Sequence, residues 1–166
     1  MKNLIIICLI SLLGIGSTFA QNKTAYLNFN DLIQAMPEAK IATEQLQKIT
    51  QDYQLQLDKM AEEFKTKNEI FEKEKATLQV AIKEFKQKEL LDMQRKFEEF
   101  KQAAQNDIQK KREELLNPII KKAKDAVETV AKDKGYGYVV DSSSSQYIYM
   151  NSNDNIMDLV KKKLGL

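Results

Sequence analysis

The chain has 166 residues, with 26 Lys and Arg against 24 Asp and Glu, no His, no Trp and one Cys. A net charge of +2 argues against a nucleic-acid partner, and a chain without His that holds a single Cys lacks most metal sites and the commonest general base. Carboxylate or Ser/Lys chemistry stays open, but every Asp/Glu pair falls on a charged helical face, where the plain reading is a solvated surface.

Residues 1–20 read as a cleaved secretory signal peptide. Lys2 gives the positive start, the run LIIICLISLLGIG gives an apolar core too short to span a bilayer comfortably, and Ser17 to Ala20 offers small residues before a cut at Gln21. Cys8 lies inside that core after Ile7, which is not the setting of a lipid-attachment cysteine. Without the leader, whose only charge is Lys2, 25 bases face 24 acids. The mature chain has no Cys, so packing alone must hold it.

Tyr26, Leu27 and Phe29 suit a short half-buried strand. Asn30 or Asp31 then caps a turn of helix carrying Leu32, Ile33 and Met36, which Pro37 ends. From Glu38 to Asn117 the chain runs 80 residues without Gly or Pro. One apolar seam follows three-four spacing through Leu46, Ile49, Tyr53, Leu57, Met60 and Phe64, then Phe71, Leu78, Ile82 and Phe85. A second runs through Leu90, Met93, Phe97, Phe100, Ala104, Ile108, Leu115 and Ile119. The step from Phe85 to Leu90 is five residues, so the seams are out of phase. Narrow stripes on highly charged helices suit a coiled coil better than a globular core. The segment between Pro37 and Gly135, roughly 95 residues, is either a straight rod of about 140 Å or a hairpin with arms of about 60 Å. The β-branched cluster Thr77, Val80 and Ile82 near its midpoint favours a hairpin with its tip near 77–85.

Pro118 predicts a kink, and the denser apolar face after it, Ile119, Ala123, Ala126, Val127 and Val130, packs on a body. Gly135 is a natural helix stop. Tyr136–Val140 and Gln146–Met150 read as two strands joined by a loop over Asp141–Ser145, and Asp154 or Asn155 caps a last helix. The fold class is therefore mainly α with a small β body. A long α-helical coiled-coil hairpin over 38–117 is inserted in a small β-sheet body built from 21–37 and 118–166. Such a body buries little core by itself and calls for self-association.

Three stretches, YLNFNDLIQAMPEA (26–39), LLNPIIKKAKDAVETVAKDKGYGYVVD (115–141) and YIYMNSNDNIMDLVKKKLGL (147–166), together with the charged insertion, carry a resemblance to the Skp/OmpH family of periplasmic chaperones over essentially the whole mature chain. The Gly-Tyr entry into a VVD strand is its most specific part. The resemblance implies a homotrimer with a β-sheet trimerisation body and three helical tentacles around a cavity. It implies a periplasmic, ATP-independent holdase for unfolded outer-membrane β-barrel proteins, with no catalysis, no cofactor and no metal. Two features depart from the family pattern. Asn155, Ile156 and Met157 stand where the last helix usually opens with Asp-Ile-Thr, and the tip around Gln79 to Ala81 lacks polar turn residues.

A holdase needs scattered apolar groups on adaptable arms. The candidates for client contact are Met60, Phe64, Phe71, Val80, Phe85, Met93, Phe97 and Phe100; the alternative for the seam members is that they zip the arms together, and for Val80 that it is a buried tip residue. The candidates for the oligomer core are Tyr26, Leu27, Tyr138, Val139, Val140 and Ile148. Lys83, Lys86, Lys88, Arg95 and Lys96 make a mildly basic tip region that suits either an anionic membrane surface or plain solvation. The rival to the chaperone is a structural or adaptor coiled coil of the cell envelope.

Overall fold

The computed structural model describes residues 23–144 and 146–166, so the leader expected over residues 1–20 lies outside the described residues. The chain opens with strand β1 (Lys23–Leu27) and helix α1 (Phe29–Ala35). The long helices α2 (Pro37–Glu74) and α3 (Val80–Lys134) follow, then strand β2 (Tyr136–Asp141) and helix α4 (Met157–Leu164). A single 3-10 turn, Ser152–Asp154, precedes α4.

The helical run folds back. Helix α2 has 38 residues and α3 has 55, which at 1.5 Å per residue gives lengths of about 57 and 82 Å. Lys75–Gln79 makes the turn between them. Thr77 closes α2 by donating from both its backbone N–H and its hydroxyl to the Glu74 carbonyl, at 2.9 Å each. Gln79 then takes an extended conformation and its carbonyl accepts from Lys83 N–H. Among the described residues only Gly135 and Gly165 have positive φ. The tip therefore needs no glycine, which is why no turn residue marks it in the sequence.

Three cross-arm bonds share one register. Lys122 Nζ donates to Glu38 at 2.5 Å, Tyr53 Oη to Asp107 at 2.9 Å and Lys86 Nζ to Glu74 at 2.7 Å. Fifteen residues forward on α2, from Glu38 to Tyr53, match fifteen back on α3, from Lys122 to Asp107. The two helices thus run antiparallel without slipping along most of the arm. Helix α3 passes through Pro118 without a break, although Pro118 leaves the Glu114 carbonyl without its helical donor.

The body forms where both ends of the arm meet the strands. Ala39 and Ala42 on α2 and Ala123 and Ala126 on α3 are buried, and such small residues let two helices approach closely. Around them pack Ala25 and Leu27 of β1, Leu32 of α1, Ile156 and Val160. The strands pair in parallel, with Ala25 opposite Val139 and Leu27 opposite Asp141, and the whole arm serves as their crossover. Gly137 falls in the register shift between Tyr136 and Tyr138. Gly135, at φ 71°, ends α3 in the left-handed conformation.

Two local expectations are corrected. Asn28, not Asn30 or Asp31, caps α1: its Oδ1 accepts from Asp31 N–H at 3.1 Å, and Asn30 and Asp31 lie inside the helix. The expected strand over Gln146–Met150 does not form, so there is no β2 hairpin. The reason lies at Asp141, whose Oδ1 accepts from Phe29 N–H at 3.0 Å and Ser143 N–H at 2.9 Å. The first of those bonds ties the end of β2 to the start of α1, and Ser142 N–H donates to the Leu27 carbonyl of β1. The chain then returns along the other edge of β1, where Ile156 N–H donates to the Tyr26 carbonyl at 3.0 Å.

Candidate functional site

The arm is a two-helix coiled coil with an incomplete seam. At mid-arm, Tyr53 on α2 meets the Phe100 ring edge-on, with centroids 5.9 Å apart. Its hydroxyl reaches Asp107, and that carboxylate, with a smaller effect from burial, pushes the Tyr53 phenol above its ordinary pKa. Farther out the chain adds the ion pairs Lys67–Glu89 and Lys86–Glu74. Exposed pairs of this kind hold little free energy and act mainly on register.

The eight candidate contact residues fall into three settings. Met60, Phe64, Met93, Phe97 and Phe100 are half-buried between the helices. Phe71 is buried, at 6% exposure, so it closes the seam below the tip rather than presenting a surface; its reading as a contact is corrected on that ground. Val80 and Phe85 stand out at 73% and 69% exposure. Phe85 and Ile82, expected to complete the first seam, lie after the turn and fall outside it. The turn at Lys75–Gln79 resets the helical phase, so a periodicity counted across it cannot hold.

Two open clefts lie between α2 and α3 in the outer half of the arm. One, of about 570 Å³, has Met60, Phe85 and Met93 among its walls; the other, of about 440 Å³, has Phe64, Met93 and Phe97. Charged groups of both signs rim the first, while Gln94 and Glu98 border the second.

In the body, Leu27 is buried, and Tyr26, Val139 and Val140 are half-buried. Tyr138 is 65% exposed and Ile148 fully exposed. The parallel register places Thr24, Tyr26, Tyr138 and Val140 on the sheet face turned away from the core side of Ala25 and Leu27. Tyr147 and Met150 border that face across a small open pocket. The sheet therefore shows one packed face and one aromatic, largely bare face. Asp141 sits at its end. Burial pushes its carboxyl up, but the Ser143 and Phe29 amides outweigh that and hold it below the ordinary range. Ile156, not Asp154 or Asn155, is the N-cap of α4 and makes no side-chain cap bond; Asn155, one residue before it, accepts from Met157 N–H at 2.9 Å. Sequence reading missed Asp107 and Asp141, because an Asp between Asn106 and Ile108, or at a strand end before serines, shows no local sign of a partner 54 or 112 residues away. No group of His, Cys, Asp and Glu that could hold a metal ion occurs among the described residues.

Comparison with known proteins places this geometry. The model of the family described as "Outer membrane protein (OmpH-like)" matches residues 23–164. A solved crystal structure of a candidate outer membrane chaperone (OmpH-like) from Caulobacter crescentus CB15 has the same fold, with a TM-score of 0.71. It is 14% identical, and the match covers 87% of this chain and 85% of that one. No curated protein is matched.

Proposed function

The chain belongs to the OmpH-like family, and from that premise we propose that it is an ATP-independent periplasmic holdase that keeps unfolded outer-membrane β-barrel proteins from aggregating. The observation that carries the reading is the arm itself. Methionine and phenylalanine side chains lie half-open or exposed along a hairpin whose remaining surface is densely and evenly charged. Such a surface binds many apolar segments weakly, and weak contacts release without fuel. Met60, Phe64, Val80, Phe85, Met93, Phe97 and Phe100 are the contact residues of this proposal. The working form is a homotrimer. Its support is the bare sheet face with Tyr26, Tyr138 and Val140, next to the exposed Ile148, on a body too small to be self-sufficient. A basic arm end with Lys83 and Lys88 beside the exposed Val80 suits an anionic membrane surface as a resting or delivery site.

Light scattering tests the reading. A urea-unfolded β-barrel membrane protein is diluted into buffer with and without residues 21–166, in the absence of ATP. Suppression of scattering at about three chains per client, the trimer stoichiometry, is the expected result. Unchanged scattering by a folded chain would favour a scaffolding coiled coil of the envelope instead.

A further inference from the structure

The arm is not uniformly zipped. On the body side, the buried Ala39, Ala42, Ala104 and Ala123 and the Tyr53–Asp107 bond hold the helices close. Beyond that bond the seam contains the two clefts of about 570 and 440 Å³, with Met93 lining both. Their origin is in the sequence. The turn at Lys75–Gln79 and the five-residue step to Leu90 leave Phe85 off the first seam and 69% exposed. A helix pair that meant only to zip itself would fill this space, since empty seam forfeits contacts.

The cleft selects an occupant by size and charge. Its volume falls within the roughly 300–1,000 Å³ of small-ligand pockets, enough for single side chains but not for a folded element. Its rim carries Lys67, Lys88 and Lys96 against Glu63, Glu89 and Asp92, so the balance is zero and the complement is an uncharged group. The floor is thioether and aromatic carbon, soft and adaptable in shape.

We propose that the outer half of each arm binds client inside its own seam: the cleft around Met60, Phe85 and Met93 takes aromatic and long aliphatic side chains of an unfolded polypeptide. This rests on the holdase reading and adds a location to it. The client is gripped within single arms as well as lying between them. Each seated side chain completes the seam that the chain's own residues leave open, so binding stiffens the outer arm. The Tyr53–Asp107 bond marks the inner limit of the opening.

The test is photo-cross-linking in the full mature chain with a urea-unfolded β-barrel membrane protein as the probe. p-Benzoylphenylalanine replaces, one at a time, Met93 inside the cleft, Val80 on the exposed arm end and Leu55 on the outward, exposed face of α2 at mid-arm. The expected result is a yield at position 93 that matches or exceeds that at 80, with little at 55. Cross-linking at 80 but not at 93 would overturn the cleft and leave the holdase standing. Failure at every position, with scattering unsuppressed, would remove both. Amide exchange on the unmodified chain guards against a perturbed variant. Client should slow exchange across 60–67 and 85–97 and leave 101–116 unchanged, and equal protection along the whole arm would refute the inference.

Discussion

Leu27→Ala separates the body from the arm as the seat of stability. Leu27 is 1% exposed and lies in the cluster with Leu32, Ile156 and Val160, at the point where β1, α1 and α4 converge. The substitution deletes three buried carbons, worth about 2.5 kcal/mol of transfer free energy at about 0.8 each. The cavity left in a small, tightly packed body raises the cost to about 3–4 kcal/mol. Against a total stability of about 5–15 kcal/mol that is a large share. It corresponds to a fall in Tm of roughly 10 °C. Phe64→Ala is the control, because Phe64 is half-buried beside an existing cleft and its loss creates little new cavity. Thermal unfolding followed by circular dichroism at equal protomer concentration measures both, since assembly makes Tm concentration-dependent. A larger fall for Phe64→Ala than for Leu27→Ala would refute the placement of the core in the body.

Three further outcomes follow from particular residues. Tyr138→Asp or Val140→Asp sets a charge on the bare sheet face and should dissociate the proposed trimer, as read by light-scattering mass; a variant that stays trimeric would move the interface elsewhere. Gly135→Ala meets no atom within 4 Å, so its cost is the left-handed backbone alone, about 1–2 kcal/mol; chemical denaturation showing no loss would mean that α3 ends differently. The Asp107 contact raises the Tyr53 pKa in the folded chain, so this bond's stabilisation is whole below the ordinary tyrosine pKa and is lost as pH rises through the folded one. Tyr53→Phe should flatten that alkaline loss in a Tm–pH profile, and an unchanged profile would show that the clasp does not form.

The long helices were legible because their apolar period survives among dense charge. Leu46, Ile49, Leu57, Phe97 and Ile108 are all half-buried where the seams put them. Gly135 was equally legible, since only a residue without a Cβ ends a helix cheaply at positive φ. The exact turn was hidden, because its backbone stays in ordinary regions that any residue adopts. The body was harder. Gln146–Met150 has the composition of a strand, but pairing depends on which edge is free. Here β1 takes β2 on one side and Asn155 on the other, contacts that link distant parts of the sequence. Cap chemistry was misplaced by two residues at α1 for a smaller reason: Asn28, Asn30 and Asp31 are all good caps, and only the packing of Phe29 and Leu32 on the core chooses among them.

A trimeric holdase is defined by what a single complex with its client contains. Native mass spectrometry of residues 21–166, mixed with an unfolded β-barrel membrane protein and transferred without ATP, weighs that complex. The expected spectrum holds one species of three chains with one client, and a free chain that is itself a trimer. A chain that stays free of client at every mixing ratio while remaining folded would contradict it.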